Sequence, residues 1–97
     1  MIEKWISREE ENALPLFGSH KEARLFFTKK YGSDFIVESI EMVGAEKCYF
    51  CSLIVDRETF VEMQELMRKG LPVSGDRFLS CAQPIQIMES GSVHIVH

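Results

Sequence analysis

The chain has 97 residues, of which 45% are hydrophobic and 27% charged, with a net charge of −4 and a pI near 5.3. That length gives one domain with one modest core, since single domains typically run roughly 50–250 residues. Seven Phe at moderate charge argue against disorder, and the acidic balance disfavours non-specific binding to nucleic acid.

The first segment, Met1 to Phe17, supports two readings. Ser7-Arg8-Glu9-Glu10 has capping-box spacing and would start a helix, but Pro15 soon blocks continuation. The alternative is two short strands, Ile2 to Ile6 and Ala13 to Phe17, joined by the polar turn Arg8 to Asn12. The strand reading is preferred here because Leu14, Leu16 and Phe17 need burial and Gly18 marks a break. The stretch Leu14-Pro15-Leu16-Phe17-Gly18-Ser19, followed by Glu22-Ala23, resembles the strand-to-helix passage of SseB-like bacterial proteins. It is a small part of the chain and holds no chemistry, so no family and no residue role follow from it.

Ser19 with Glu22 three residues on predicts a helix start, and Ala23, Phe26, Phe27 and Tyr31 recur at helical spacing before Gly32. This helix should bury Phe26 and Phe27 against a sheet. Phe35 to Val43 reads as a strand, with Ile36, Ile40 and Met42 on one face and Phe35, Val37 and Val43 on the other. After a turn at Gly44-Ala45-Glu46, Cys48 to Val55 is apolar on both faces, as a covered central strand would be. The two strands should form an antiparallel hairpin.

Asp56 and Glu58 open a second helix with Phe60, Met63, Leu66 and Met67 as its buried stripe. Glu58, Glu62, Glu65 and Lys69 share its wet face, with Glu65 and Lys69 placed as an i,i+4 pair. Gly70 and Pro72 end it. Leu71 to Pro84 is the longest irregular stretch, within which Phe78, Leu79 and Cys81 suggest a short strand. Ile85 to Glu89 and Val93 to His97 flank Ser90-Gly91-Ser92 as a closing hairpin, whose last strand would be an exposed edge. The expected fold is α+β, a single domain over residues 1–97. Its antiparallel sheet of about four to six strands, with two helices packed on it, follows the order (ββ)-α-β-β-α-β-β.

No catalytic constellation is visible: the chain lacks a phosphate-binding glycine loop, a His-x-x-x-His pair and a nucleophile elbow. Cys48 and Cys51 have Cys-x-x-Cys spacing, yet in a strand residues three apart point to opposite faces. A metal site would need Cys48, Cys51 and Cys81 together with His94 or His97, and packed structural thiols are the plainer interpretation. Cys81 matches no cysteine-hydrolase signature. Gly75, Asp76 and Arg77, with Cys81, form the candidate ligand-binding loop, because an Arg on a glycine-bearing loop can grip a carboxylate or phosphate. An ordinary turn with a solvated charge pair explains the same residues. Lys21, Arg24, Lys29 and Lys30 are the one local basic excess, placed for a nucleic-acid contact or, more simply, for the helix C-terminus.

No apolar run is long enough to span a bilayer, the N-terminus lacks a signal-peptide pattern, and three cysteines are an odd number for a disulfide framework. The expectation is a cytoplasmic, non-enzymatic protein-interaction or regulatory module that self-associates as a homodimer, without a cofactor and without nucleic acid or membrane as partner. The alternative is a metal- or small-ligand-binding protein built on the cysteines and a histidine.

Overall fold

The structure, a computed structural model, describes residues 5–97. Among these residues four α-helices and one antiparallel sheet form an α+β domain. In chain order these are α1 (Arg8–Asn12), α2 (His20–Tyr31), β1 (Phe35–Val43), β2 (Glu46–Ile54), α3 (Arg57–Arg68), α4 (Asp76–Leu79), β3 (Ala82–Met88) and β4 (Val93–Ile95). The strands lie in the order β1-β2-β3-β4, so each pairs with its neighbour in sequence.

The N-terminal segment departs from the strand reading. The Ser7 hydroxyl accepts the Glu10 amide at 3.1 Å while the Glu10 carboxylate accepts the Ser7 amide at 3.2 Å. This reciprocal cap gives the backbone local partners and starts α1. Ala13 to Phe17 is irregular: Leu14 and Phe17 reach the core without a ladder, and Leu16 is fully exposed. Most of the strand expected over Ile2 to Ile6 lies outside the described residues. Ile6 itself is buried.

Ser19 caps α2 by accepting the Glu22 amide, and the Glu22 carboxylate reaches back to the Gly18 amide at 2.6 Å. Ala23 and Phe27 are the buried positions, with Phe26 half-buried against Phe17. Phe27 packs on Phe35 with ring centroids 5.4 Å apart, which anchors α2 to the start of β1.

Between Val37 and Ser39 the β1–β2 register slips by one residue. The extra residue is Glu38, and a bulge of this kind reverses the alternation beyond it. Phe35, Val37, Ile40 and Met42 therefore share a face, opposite Leu53, Cys51, Tyr49 and Lys47. Ile36, Ser39, Glu41 and Val43 take the other. The expected assignment, which put Ile36 with Ile40 and Met42, is corrected by that one residue.

The two helices cover opposite faces of the sheet. Beneath α2 lies the main core of Phe27, Leu53, Cys51, Tyr49, Ile85, Ile87 and Ile95. On the far side, Phe60 and Met63 of α3 meet Ile54, Ile36, Ala82 and Cys81 at one end of the sheet. Asp56 caps α3 through the Thr59 amide and hydroxyl at 3.2 and 2.7 Å. Phe60 is buried but Met67 is exposed, so only the first part of the expected stripe is covered. Glu65 pairs with Arg68 at 2.6 Å instead of Lys69, which is the C-cap. The suggested strand at Phe78 to Cys81 is instead the helical turn α4, folded over the buried Phe78 ring.

Gly91 closes the β3–β4 hairpin at φ 103°, and a β-carbon there would collide with the Phe17 carbonyl. Gln83, fully buried, joins the chain's two ends: its Oε1 accepts the Ile6 amide at 2.7 Å. Its Nε2 donates to the carbonyls of Ile6 at 2.9 Å and Val96 at 3.2 Å. Among the described residues no helix is long and apolar enough to cross a membrane.

Candidate functional site

The three thiols are dispersed by the sheet. Cys51 faces α2, Cys48 lies on the opposite face across from Glu41, and Cys81 sits beneath α3. Burial pushes the Cys51 thiol up to about 12, and burial first, then Glu41 and Glu46, raises that of Cys48. Burial also raises Cys81, whose Sγ donates to the Phe78 carbonyl at 3.1 Å. Such thiols are poor nucleophiles and poor metal ligands. His94 is exposed opposite Gln86 on β3. Among the described residues no three His, Cys, Asp or Glu side chains gather where they could hold a metal ion.

Gly75, Asp76 and Arg77 form the start of α4. Arg77 is bound by Glu62 through two hydrogen bonds at 2.9 and 2.5 Å and lies 4.3 Å from the Phe78 ring centroid. The fork that could have taken an anion already holds a carboxylate, and that bond depresses the Glu62 pKa and raises that of Arg77. Cys81 is buried below and does not share a surface with this pair.

The basic segment is divided as well. Arg24 lies 5.1 Å from the Tyr49 ring centroid, while Lys30 lies beside Phe26 and Tyr31. His20 stacks on Tyr49 at 4.2 Å and its Nε2 meets the Tyr49 hydroxyl at 3.2 Å. Burial, then Arg24 and Lys21, lowers the His20 pKa, which disfavours the charged imidazole.

A groove of about 720 Å³ runs between α1, the 14–17 segment and β4. Its carboxylate, Glu11, is committed: it accepts the Ile95 amide at 3.0 Å and meets His97 Nε2 at 2.7 Å. Ile95 is on β4, the edge expected to be open. Glu11 closes it.

Among the described residues the open edge is β1, which is nine residues long and has β2 as its single neighbour in the sheet. Val37, Ile40, Met42 and Val43 are 40%, 56%, 61% and 48% exposed. Edge strands in folded proteins are normally short, charged or covered, because unpaired amides and carbonyls template another strand. Here the face on the α2 side bears a row of three apolar side chains, Val37, Ile40 and Met42. The other face bears Glu38 and Glu41. Glu38 is held by the Ser52 hydroxyl at 2.5 Å and Glu41 by the Ser39 hydroxyl at 3.3 Å.

Sequence reasoning placed Val37, Ile40 and Met42 in a hairpin but did not see their exposure. Two glutamates within one strand were the available signal, since charge in a strand marks an edge. The chain matches no protein-family model, no curated protein and no solved structure.

Proposed function

We propose that the protein is a non-enzymatic interaction module of the cytoplasm that joins a protein partner by strand addition at β1. The observation that carries this reading is the length and apolar exposure of β1, with no strand beyond it among the described residues. Strand addition supplies affinity through main-chain hydrogen bonds and specificity through alternate side chains, and β1 offers both. Three free, buried thiols support a reducing compartment. Self-association, the form expected from sequence, would make the partner a second copy joined at this same edge. The surface involved is β1, in place of the last hairpin expected from sequence.

The test is native mass spectrometry of protein isolated gently from its source, alongside Ile40→Lys. Ile40 is 56% exposed, so the substitution should alter stability by no more than about 0.5 kcal/mol. The expected result is a wild-type complex, with another polypeptide or a second copy, that dissociates in Ile40→Lys while circular dichroism stays unchanged. A wild-type protein that is monomeric at every concentration, and indistinguishable from Ile40→Lys, would overturn the proposal.

A further inference from the structure

We infer that the strand accepted by β1 alternates apolar and basic residues and comes from another protein, not from a second copy. This rests on the reading of β1 as the interaction edge. An added strand keeps the pleat of its neighbour, so its alternate residues fall beside the two faces of β1 in turn. On the α2 side they meet Val37, Ile40 and Met42, which asks for apolar side chains. On the other side they meet Glu38 and Glu41, which asks for lysine or arginine.

These two carboxylates are unneutralised. Their hydrogen-bond donors are the neutral hydroxyls of Ser52 and Ser39, and among the described residues neither carboxylate has a cationic partner. Arg57, near the start of β1, is occupied by Asp34 and the Ser33 carbonyl. Glu46, across from Val43, adds a third acid to this face, and the influence of Glu41 and Glu46 on Cys48 reflects their closeness. Lys47 projects to the opposite face, opposite Met42.

A second copy fits this edge badly. Antiparallel pairing of β1 with itself about a two-fold axis perpendicular to the sheet preserves the faces. Glu38 and Glu41 of both copies would then crowd onto one side of a strand pair about 4.8 Å apart, where like charges destabilise. The same acids that repel a copy attract a basic strand.

The experiment uses a short labelled peptide of alternating valine and lysine, and a control peptide with glutamate in place of lysine. Affinity is followed by fluorescence anisotropy, and the contact is located by amide hydrogen exchange. The lysine peptide should bind, protect β1 amides and weaken as salt rises. Glu38→Lys with Glu41→Lys should weaken it roughly tenfold, a few-fold for each lost cross-strand pair, and should gain affinity for the glutamate peptide. Glu9→Lys with Glu58→Lys changes net charge equally at positions outside β1, in α1 and the first turn of α3, and should leave the preference intact.

Equal weakening in both double variants would overturn the inference, as would protection outside β1. A wild-type dimer whose β1 amides are protected would overturn the basic occupant yet keep β1 as the interaction edge. Failure of peptides and of a second copy to protect β1 would remove both readings.

Discussion

Replacing Gln83 with methionine keeps the length and approximate volume of the side chain and deletes its polar atoms. In the native fold those atoms serve the Ile6 amide at 2.7 Å, the Ile6 carbonyl at 2.9 Å and the Val96 carbonyl at 3.2 Å. Val96 is part-exposed, so water can satisfy its carbonyl after the change, whereas Ile6 is buried at both groups. A buried polar group left without a partner costs about 1–3 kcal/mol, so the two Ile6 groups together set an expected loss of about 2–6 kcal/mol. Against a total stability of roughly 5–15 kcal/mol for a domain of this size, that loss is large. Equilibrium urea denaturation followed by circular dichroism measures it, with hydrogen exchange at Ile6 showing whether the N-terminal segment detaches first. A loss below about 1 kcal/mol would refute the reasoning. It would mean that the Gln83 amide is replaceable by water and that the ends of the chain are joined by apolar contact alone.

Two further outcomes follow from the same junction. The Glu11 pKa is lowered from its ordinary 4.5 by the hydrogen bond to His97, then by that to the Ile95 amide. In the window below that value the unfolded chain binds the proton that the native state refuses, so this contribution to stability grows as pH rises. Glu11→Gln keeps an acceptor for Ile95 and loses the charge. Its deficit, about 1 kcal/mol, should be full above the unfolded pKa and vanish as acid titrates the native carboxylate; a deficit independent of pH would contradict this. Gly91→Ala should cost about 1–3 kcal/mol or more, because φ 103° is strained for alanine and the added carbon meets the Phe17 carbonyl. Thermal melting measures it, and an unchanged midpoint would show that the 17–19 segment yields freely.

What was legible in the sequence was local. Ser19 and Asp56 cap their helices as their positions predict, and Gly32 ends α2 at φ 61°. The β1–β2 hairpin followed from two apolar strands around Gly44, which takes φ 66° in the turn. The errors came from burial treated as a proxy for structure. Leu14 and Phe17 are packed without being in a strand, and Phe78 is buried from a helical turn. The bulge at Glu38 carries no mark in composition, yet it moves Ile40 and Met42 to the other face. At the candidate sites, Arg77 looked free because Glu62, its partner, lies fifteen residues earlier. Gln83 sat in a supposed loop, and nothing short of the fold places it beside Ile6, 77 residues away in the chain.

The two edges of the sheet are handled in opposite ways, and that contrast bears most directly on function. At β4 the strand is three residues long, the Ile95 amide is taken by Glu11, and the Val96 amide and carbonyl are bonded to the Pro84 carbonyl and the Gln83 side-chain amide. An added strand there would have to displace α1. At β1 nothing comparable exists among the described residues, although its bulge and glutamates are the usual guards against indiscriminate pairing. A purely defensive edge would have no need to expose Val37, Ile40 and Met42 as well, because apolar side chains raise the same hazard that the charges suppress. One face of β1 carries the apolar row and the other carries Glu38 and Glu41 beside Val43, so on the inference drawn above its charges disfavour a second copy while its hydrogen-bonding groups and apolar row stay available. A strand whose cations answer Glu38 and Glu41 satisfies all three features together.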